Sequence, residues 1–61
     1  MAKKRIDISV YEAYGQYQAK ARDETGREVT NAFGKDRREA IARCVEKVRQ
    51  LYGSNAEILY A

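Results

Sequence analysis

Histidine, tryptophan and proline are absent from the 61 residues, and cysteine occurs once, as Cys44. Without histidine the chain lacks the commonest general base. One thiol and scattered carboxylates do not make the ligand set of a structural metal site. No glycine pattern resembles a phosphate-binding loop. We therefore interpret the protein as non-enzymatic and expect no catalytic residue, no metal and no cofactor.

A single cysteine cannot form an intramolecular disulfide, which excludes a secreted disulfide scaffold. We expect Cys44 to be a small buried hydrophobe, because it falls on the apolar side of a predicted helix. No apolar run approaches the roughly 20 residues that a membrane helix needs. The basic N-terminus is followed by an alternating segment, not by the apolar core of a signal peptide. These features predict a cytoplasmic protein without a membrane partner, encoded by a cell or by a virus or plasmid.

Length and composition indicate one domain over residues 1–61, with residues 1–5 as a flexible basic tail. From Ile6 to Val10 the residues alternate between apolar and polar, which predicts a half-buried strand. A tight turn at Tyr14 and Gly15 then leads into a second alternating strand. The resulting cross-strand pairs are Val10 with Ala19, Ile8 with Ala21 and Asp7 with Arg22. Burial and charge pairing agree in this register, so we predict a hairpin.

The second turn contains Gly26, and a three-residue loop there puts this glycine where a left-handed residue is needed. That loop predicts a third strand from about Arg27 to Phe33. It places Glu28 opposite Arg22 and Val29 opposite Ala21. It also places Phe33 on the buried face near Tyr17.

After Gly34 the apolar period becomes helical, with Asp36 as the predicted N-cap, Glu39 in a capping box and Gly53 as the C-cap. The predicted apolar stripe consists of Ile41, Cys44, Val45, Val48, Leu51 and Tyr52. A short last strand follows at Glu57–Tyr60. The predicted fold is α+β: a three-stranded antiparallel meander, one amphipathic helix packed on one face and a C-terminal strand, in the order β-β-β-α-β. A right-handed crossover favours a position for the last strand beside the first strand, although the sequence leaves this open.

The net charge of +3 resides in the helical segment, which has six basic and three acidic residues, while six of each sign cancel elsewhere. The helix cations Arg37, Arg38, Arg43, Lys47 and Arg49 are candidates for contacts with phosphates. The alternative is an ordinary solvated helix face, since Glu39 and Arg43 are spaced as a surface pair.

The uncovered face of the sheet is the second candidate surface. Its predicted rows are Tyr11, Gln18 and Ala32; Ser9, Lys20 and Thr30; and Asp7, Arg22 and Glu28. An exposed Tyr11 could stack on an unpaired base, with Lys20 and Arg22 beside it. The basic residues Lys3, Lys4 and Arg5 could reach a phosphate or a minor groove.

The stretch from Gly15 to Asp23, with Gly26, Phe33 and Glu39-Ala40, resembles DNA-binding domains built from three strands and a helix. These include the plant ethylene-response type and the arm-binding domain of tyrosine recombinases. The resemblance implies DNA binding through the sheet, by Lys20, Arg22 and Thr30. This chain departs from the pattern in having no tryptophan or dense arginines on the sheet, and in carrying a terminal strand.

The segments Asp23–Gly26, Gly34–Asp36 and Glu39–Ile41 also resemble the HicB-type antitoxin fold, which has the order β-β-β-α-β. This resemblance implies binding to a protein or to an RNA-acting toxin, or oligomerisation. The third strand is longer here, and the proline usual in the turn is missing.

Two roles follow as hypotheses. The first is a module that binds DNA or RNA through the basic helix, the sheet or both. The alternative is a protein-interaction module, such as an antitoxin-like subunit or a phage- or plasmid-encoded inhibitor. An uncovered sheet edge would also allow a homodimer.

Overall fold

The computed structural model describes residues 3–60, which form one four-stranded sheet and one long helix. The elements are β1 (Lys4–Ala13), β2 (Gln16–Asp23), β3 (Glu28–Gly34), α1 (Arg37–Tyr52), a 3₁₀ turn (Gly53–Asn55) and β4 (Ala56–Tyr60). The strand order is β3-β2-β1-β4, with β4 parallel to β1 and the other pairs antiparallel. The predicted α+β class, the β-β-β-α-β order and the place of the last strand beside the first are confirmed. No helix in residues 3–60 is long and apolar enough to cross a membrane.

The β1–β2 hairpin turns at Tyr14 and Gly15, with φ angles of 54° and 75°. Two successive left-handed residues are the signature of the type I′ turn, whose twist matches that of the flanking strands. All three predicted cross-strand pairs are confirmed: Val10 with Ala19, Ile8 with Ala21 and Asp7 with Arg22. This short turn therefore fixes the register of the hairpin.

The β2–β3 connection is the predicted three-residue loop, closed by a bond from the Gly26 N–H to the Asp23 carbonyl. Gly26 has φ of 86°, the left-handed conformation that favours glycine. The Asp23 N–H donates to the Arg27 carbonyl at 2.9 Å. Beyond the loop, Glu28 pairs with Arg22, as predicted.

A β-bulge at Val29 shifts the remainder of β3 by one residue. Thr30, not Val29, is opposite Ala21, and Ala32 is opposite Ala19. Phe33 pairs with Gln18, so it lies on the face away from the helix and is 44% exposed. The predicted pairing of Val29 with Ala21 and the predicted burial of Phe33 near Tyr17 are therefore wrong.

Close packing of α1 on the sheet explains this bulge. A Cβ atom at Gly34 would lie 2.4 Å from the backbone nitrogen of Ala40, which is closer than real Cβ atoms come. The shifted register turns Ala32 and Gly34 toward the helix and puts the bulky Phe33 outside. The fully or nearly fully buried core is accordingly rich in small side chains. It consists of Ile6, Ile8, Ala19, Ala21, Ala32, Ala40, Cys44 and Val48.

The predicted caps of α1 are confirmed. The Asp36 carboxylate accepts a hydrogen bond from the Glu39 N–H at 2.8 Å, and Gly53 ends the helix with φ of 62°. Glu39 completes a variant of the capping box, since its carboxylate accepts from the N–H of Lys35 instead of that of Asp36. On the apolar stripe, Leu51 is 57% exposed, because the core-facing line of Cys44 and Val48 continues to Tyr52 and leaves Leu51 to one side. The prediction that Leu51 belongs to the buried stripe is wrong.

The N-terminal basic residues Lys4 and Arg5 belong to β1 and not to a flexible tail. They pair in register with Ala56 and Glu57 of β4, so the parallel strand extends the ladder to this end of β1. The prediction of a tail is therefore wrong for these two residues. Lys3 is exposed and precedes the strand, while Met1 and Ala2 lie outside the described residues.

Candidate functional site

The sheet has one face under α1 and one open face. The rows of the open face across β1, β2 and β3 are Asp7, Arg22 and Glu28; Ser9, Lys20 and Asn31; and Tyr11, Gln18 and Phe33. The first row is as predicted. In the other two rows the bulge replaces Thr30 and Ala32 by Asn31 and Phe33. Thr30, which the resemblance to DNA-binding domains implied as a contact, faces the helix side instead.

Three exposed aromatic side chains gather where the β1–β2 turn closes the sheet. Tyr11 is 39% exposed, Phe33 44% and Tyr14, at the tip of the turn, 101%. The Tyr11 hydroxyl donates to the side-chain oxygen of Gln18, which lies between Tyr11 and Phe33 in the same row. We call Tyr11, Tyr14, Gln18, Lys20 and Phe33 the aromatic end.

Lys20 lies beside this row and connects it to the acidic side of β3. Its ammonium is 5.5 Å from the centroid of the Tyr11 ring, within the range of a cation–π contact. The same ammonium is 3.6 Å from the Glu28 carboxylate. The Tyr11 hydroxyl, and to a lesser extent the Glu28 charge, raises the pKa of Lys20 above its ordinary value. Lys20 is therefore a stable positive charge held next to an exposed aromatic ring.

The helix cations do not form a single face. Arg43 and Lys47 lie on the flank of α1 next to β3, where their side chains donate to the carbonyls of Phe33 and Asn31 at 3.2 and 3.0 Å. These carbonyls belong to an edge strand of the sheet. Arg43 is also 3.4 Å from Glu39. Two of the predicted phosphate ligands thus cover a strand edge, which is a protective role.

Arg38 lies on the other flank of α1. It is five residues from Arg43, so at about 100° per residue the two side chains leave the helix roughly 140° apart. Arg38 lines an open groove of about 540 Å³ between α1 and β4. Arg49 follows Arg38 by eleven residues and so lies on nearly the same line along the helix. Arg37 begins the helix and is exposed.

The remaining predicted cations are dispersed over the sheet. Lys4 is 3.9 Å from Asp23, on the side of the sheet away from the open face. Arg5 is paired across strands with Glu57, and Arg22 lies between Asp7 and Glu28 on the open face. Lys3 is exposed before β1. Of the predicted set, the structure brings Tyr11 and Lys20 together on the open face and Arg43 and Lys47 together on the β3 flank of α1, and it spreads the others over several sides.

Tyr14 and Phe33 are the surface residues that the sequence interpretation missed. The exposure of Tyr14 follows from the predicted turn, since both central residues of a two-residue loop point away from the strands. Phe33 offers no comparable signal, because only the helix-to-sheet contact at Gly34 reveals the bulge.

Cys44 is fully buried in the core cluster, and burial raises the pKa of its thiol. Its interpretation as a small buried hydrophobe is confirmed. Within residues 3–60, no group of three or more histidine, cysteine, aspartate or glutamate side chains is arranged to hold a metal ion.

Comparison with protein-family models, with curated proteins and with solved structures found no match to this chain. The order β-β-β-α-β that the antitoxin resemblance implies is present. Membership of that family, or of the DNA-binding families, has no support beyond this topology.

Proposed function

We propose that this domain is a nucleic-acid-binding module that takes single-stranded DNA or RNA on the aromatic end. The observation that supports this role is the clustering of Tyr11, Tyr14 and Phe33 at one end of an open sheet face. Exposed aromatic rings on a sheet provide flat surfaces on which unpaired bases stack, and each such stack contributes about 1–3 kcal/mol.

The geometry favours single strands over duplexes. Tyr11 and Phe33 are on strands separated by β2, so they lie about 10 Å apart at the usual strand spacing. Two rings at this distance fit two bases splayed from one strand, whereas a duplex hides its base faces in the stack. Tyr14 extends the same surface at the turn.

Three positive side chains lie at this end of the sheet. Lys20 lies within it, Lys35 directly follows β3, and Arg37 opens the helix at the same end of the sheet. Among the described residues neither Lys35 nor Arg37 forms a salt bridge. The nearby carboxylates of Asp36 and Glu39 already accept backbone N–H groups. Lys20 is already paired with Glu28, whereas Lys35 and Arg37 remain free to contact phosphates.

The test is fluorescence anisotropy with labelled oligo(dT) and oligo(U) of about 12 nucleotides and a duplex of equal length, at two salt concentrations. We expect single strands to bind more tightly than the duplex and to weaken as salt rises. Phe33→Ala and Tyr14→Asn should each weaken binding about tenfold. Asparagine suits the positive φ of Tyr14, so this variant removes the ring without straining the turn.

Leu51→Ala is the matched control, because Leu51 is an exposed apolar residue at the opposite end of the helix. The affinity of this variant for the oligonucleotides should equal that of the wild type. No binding at low salt, or losses that are the same for Leu51→Ala and Phe33→Ala, would reject the proposal.

Protein binding is the second candidate role. The observation that favours it is the position of β4 at an edge of the sheet, beside an open groove. Such an edge can pair with a strand of another protein or with a second copy of this chain. Sedimentation over a range of concentrations distinguishes a homodimer from a monomer. For either role we expect a cytoplasmic location, where the thiol of Cys44 stays reduced.

A further inference from the structure

The groove beside β4 exists because one helix does not cover the full width of the sheet. Four strands at about 4.8 Å spacing make a surface roughly 19 Å wide, and a helix with its side chains is about 10 Å across. α1 packs mainly on β3 and β2 and least on β4. Ile6 and Ile8 of β1 are buried beneath α1, whereas Tyr60 of β4 is 62% exposed, so the strip that remains uncovered on the helix side lies along β4.

The walls of this strip are apolar. Ile41, Ala42 and Val45 line it from the helix, and Tyr60 lines it from β4. Tyr60 is 62% exposed although its strand position points it toward the helix side, with Ile58 only partly buried two residues earlier. An exposed aromatic flanked by aliphatic side chains in a groove is the usual form of an anchor site for a partner.

The rim of the groove is positive. Arg38 lines it, and Arg49 lies along the same flank of α1 about 16 Å further, at 1.5 Å per residue. Within residues 3–60 neither arginine forms a salt bridge. A binding partner that matches both the apolar walls and this positive rim carries an apolar stripe with carboxylates along one side.

We propose that the groove between α1 and β4 binds an amphipathic helix of a partner protein, with its apolar stripe on Tyr60, Ile41 and Val45 and its acidic flank toward Arg38. The apolar lining, with Arg38 and Arg49 on one line along α1, matches an apolar stripe that carries carboxylates along one side, and this is the surface of an amphipathic helix. This inference deepens the protein-binding role. It does not depend on nucleic-acid binding, because the aromatic end lies on the other face of the sheet.

The test uses a display library of amphipathic helices of about 18 residues, with an apolar stripe and randomised flanks, selected against the full chain. We expect the recovered peptides to carry aspartate or glutamate on one flank and to become helical on binding, as seen by circular dichroism. Arg38→Glu should lower the affinity for these peptides about fivefold, and Tyr60→Ser should lower it about tenfold. Replacing the acidic flank with lysine should restore binding to Arg38→Glu.

Arg27→Glu provides the matched control, since it makes the same charge change in the exposed β2–β3 connection. It should leave peptide affinity within twofold of the wild type. Recovery of no helical peptide, equal binding to all variants, or recovery of peptides that bind as extended strands would overturn the proposal. A chain dimer that sedimentation detects and that Tyr60→Ser dissociates would also overturn it. The oligonucleotide assay is separate, so its failure would not affect this result.

Discussion

Asp23 organises the turn between β2 and β3 with one carboxylate. The same oxygen accepts hydrogen bonds from the Thr25 hydroxyl, the Thr25 N–H and the Arg27 N–H. The Thr25 hydroxyl makes the largest contribution to lowering the pKa of this carboxyl, and the two backbone N–H groups and the charge of Lys4 add to it. A residue that looks like an ordinary turn aspartate is thus the centre of a small hydrogen-bond network.

This network predicts acid sensitivity. The folded pKa of Asp23 is below its unfolded value of about 3.9, so the carboxylate stabilises the fold above that pH. This contribution is lost as the pH falls through the folded pKa. Asp23→Asn should lower the urea midpoint at pH 7, and the difference from wild type should shrink as acid is added.

Urea titrations from pH 7 down to the acid limit measure this effect, with Glu24→Gln as the control. Glu24 is exposed in the same turn, and its variant makes the same charge change. If the midpoints of Asp23→Asn and wild type fall in parallel through the whole titration, the charge of Asp23 does not stabilise the fold.

At the scale of elements, the spacing between α1 and the sheet decides the register of β3. The turn residues in the sequence predict both loops. A two-residue turn and a three-residue loop ending in glycine each fix one register of pairing between the two strands that they join. The bulge depends on a contact between Gly34 and Ala40, and no local pattern in β3 reveals it. For the same reason, the sequence predicts Tyr11 and Lys20 on the open face but misses Phe33.

Gly34→Ala tests this spacing. The added methyl group would meet the backbone N and Cα of Ala40 at 2.4 and 2.9 Å. Because helix backbone cannot move like a flexible side chain, we expect a loss of at least about 2 kcal/mol in the free energy of unfolding. Urea unfolding followed by circular dichroism measures it.

Two further variants identify the cause of this loss. Gly15→Ala adds a methyl group in open space at positive φ, so it should cost only about 1 kcal/mol from backbone strain. Combining Gly34→Ala with Ala40→Gly should give no rescue, since the clash involves the backbone of Ala40. A neutral Gly34→Ala would show that the helix does not lie this close to β3.

At the scale of the whole molecule, counting charges in the sequence shows that the helix is basic. It does not show that the helix cations are divided between two flanks. Arg43 and Lys47 are used to cover the edge of β3, whereas Arg38 faces the groove beside β4. Linear spacing cannot show this, because it depends on which flank of the helix lies over which strand. The division leaves two surfaces with different chemistry: the aromatic end on the open face and the groove on the helix side.

These two surfaces should bind their ligands independently at physiological salt. The sheet separates them, and the Debye length is about 8 Å at 0.15 M salt, so bound phosphates are largely screened from an acidic helix in the groove. At 0.01 M salt the Debye length is about 30 Å, which exceeds the 15 Å and 19 Å shorter dimensions of the molecule. Saturating oligo(dT) should then weaken the binding of the acidic peptide to the groove. At 0.15 M salt the peptide affinity should stay within twofold of its value without the oligonucleotide. Peptide titrations with and without the oligonucleotide measure both cases, and full competition at 0.15 M would mean that the two ligands share one surface.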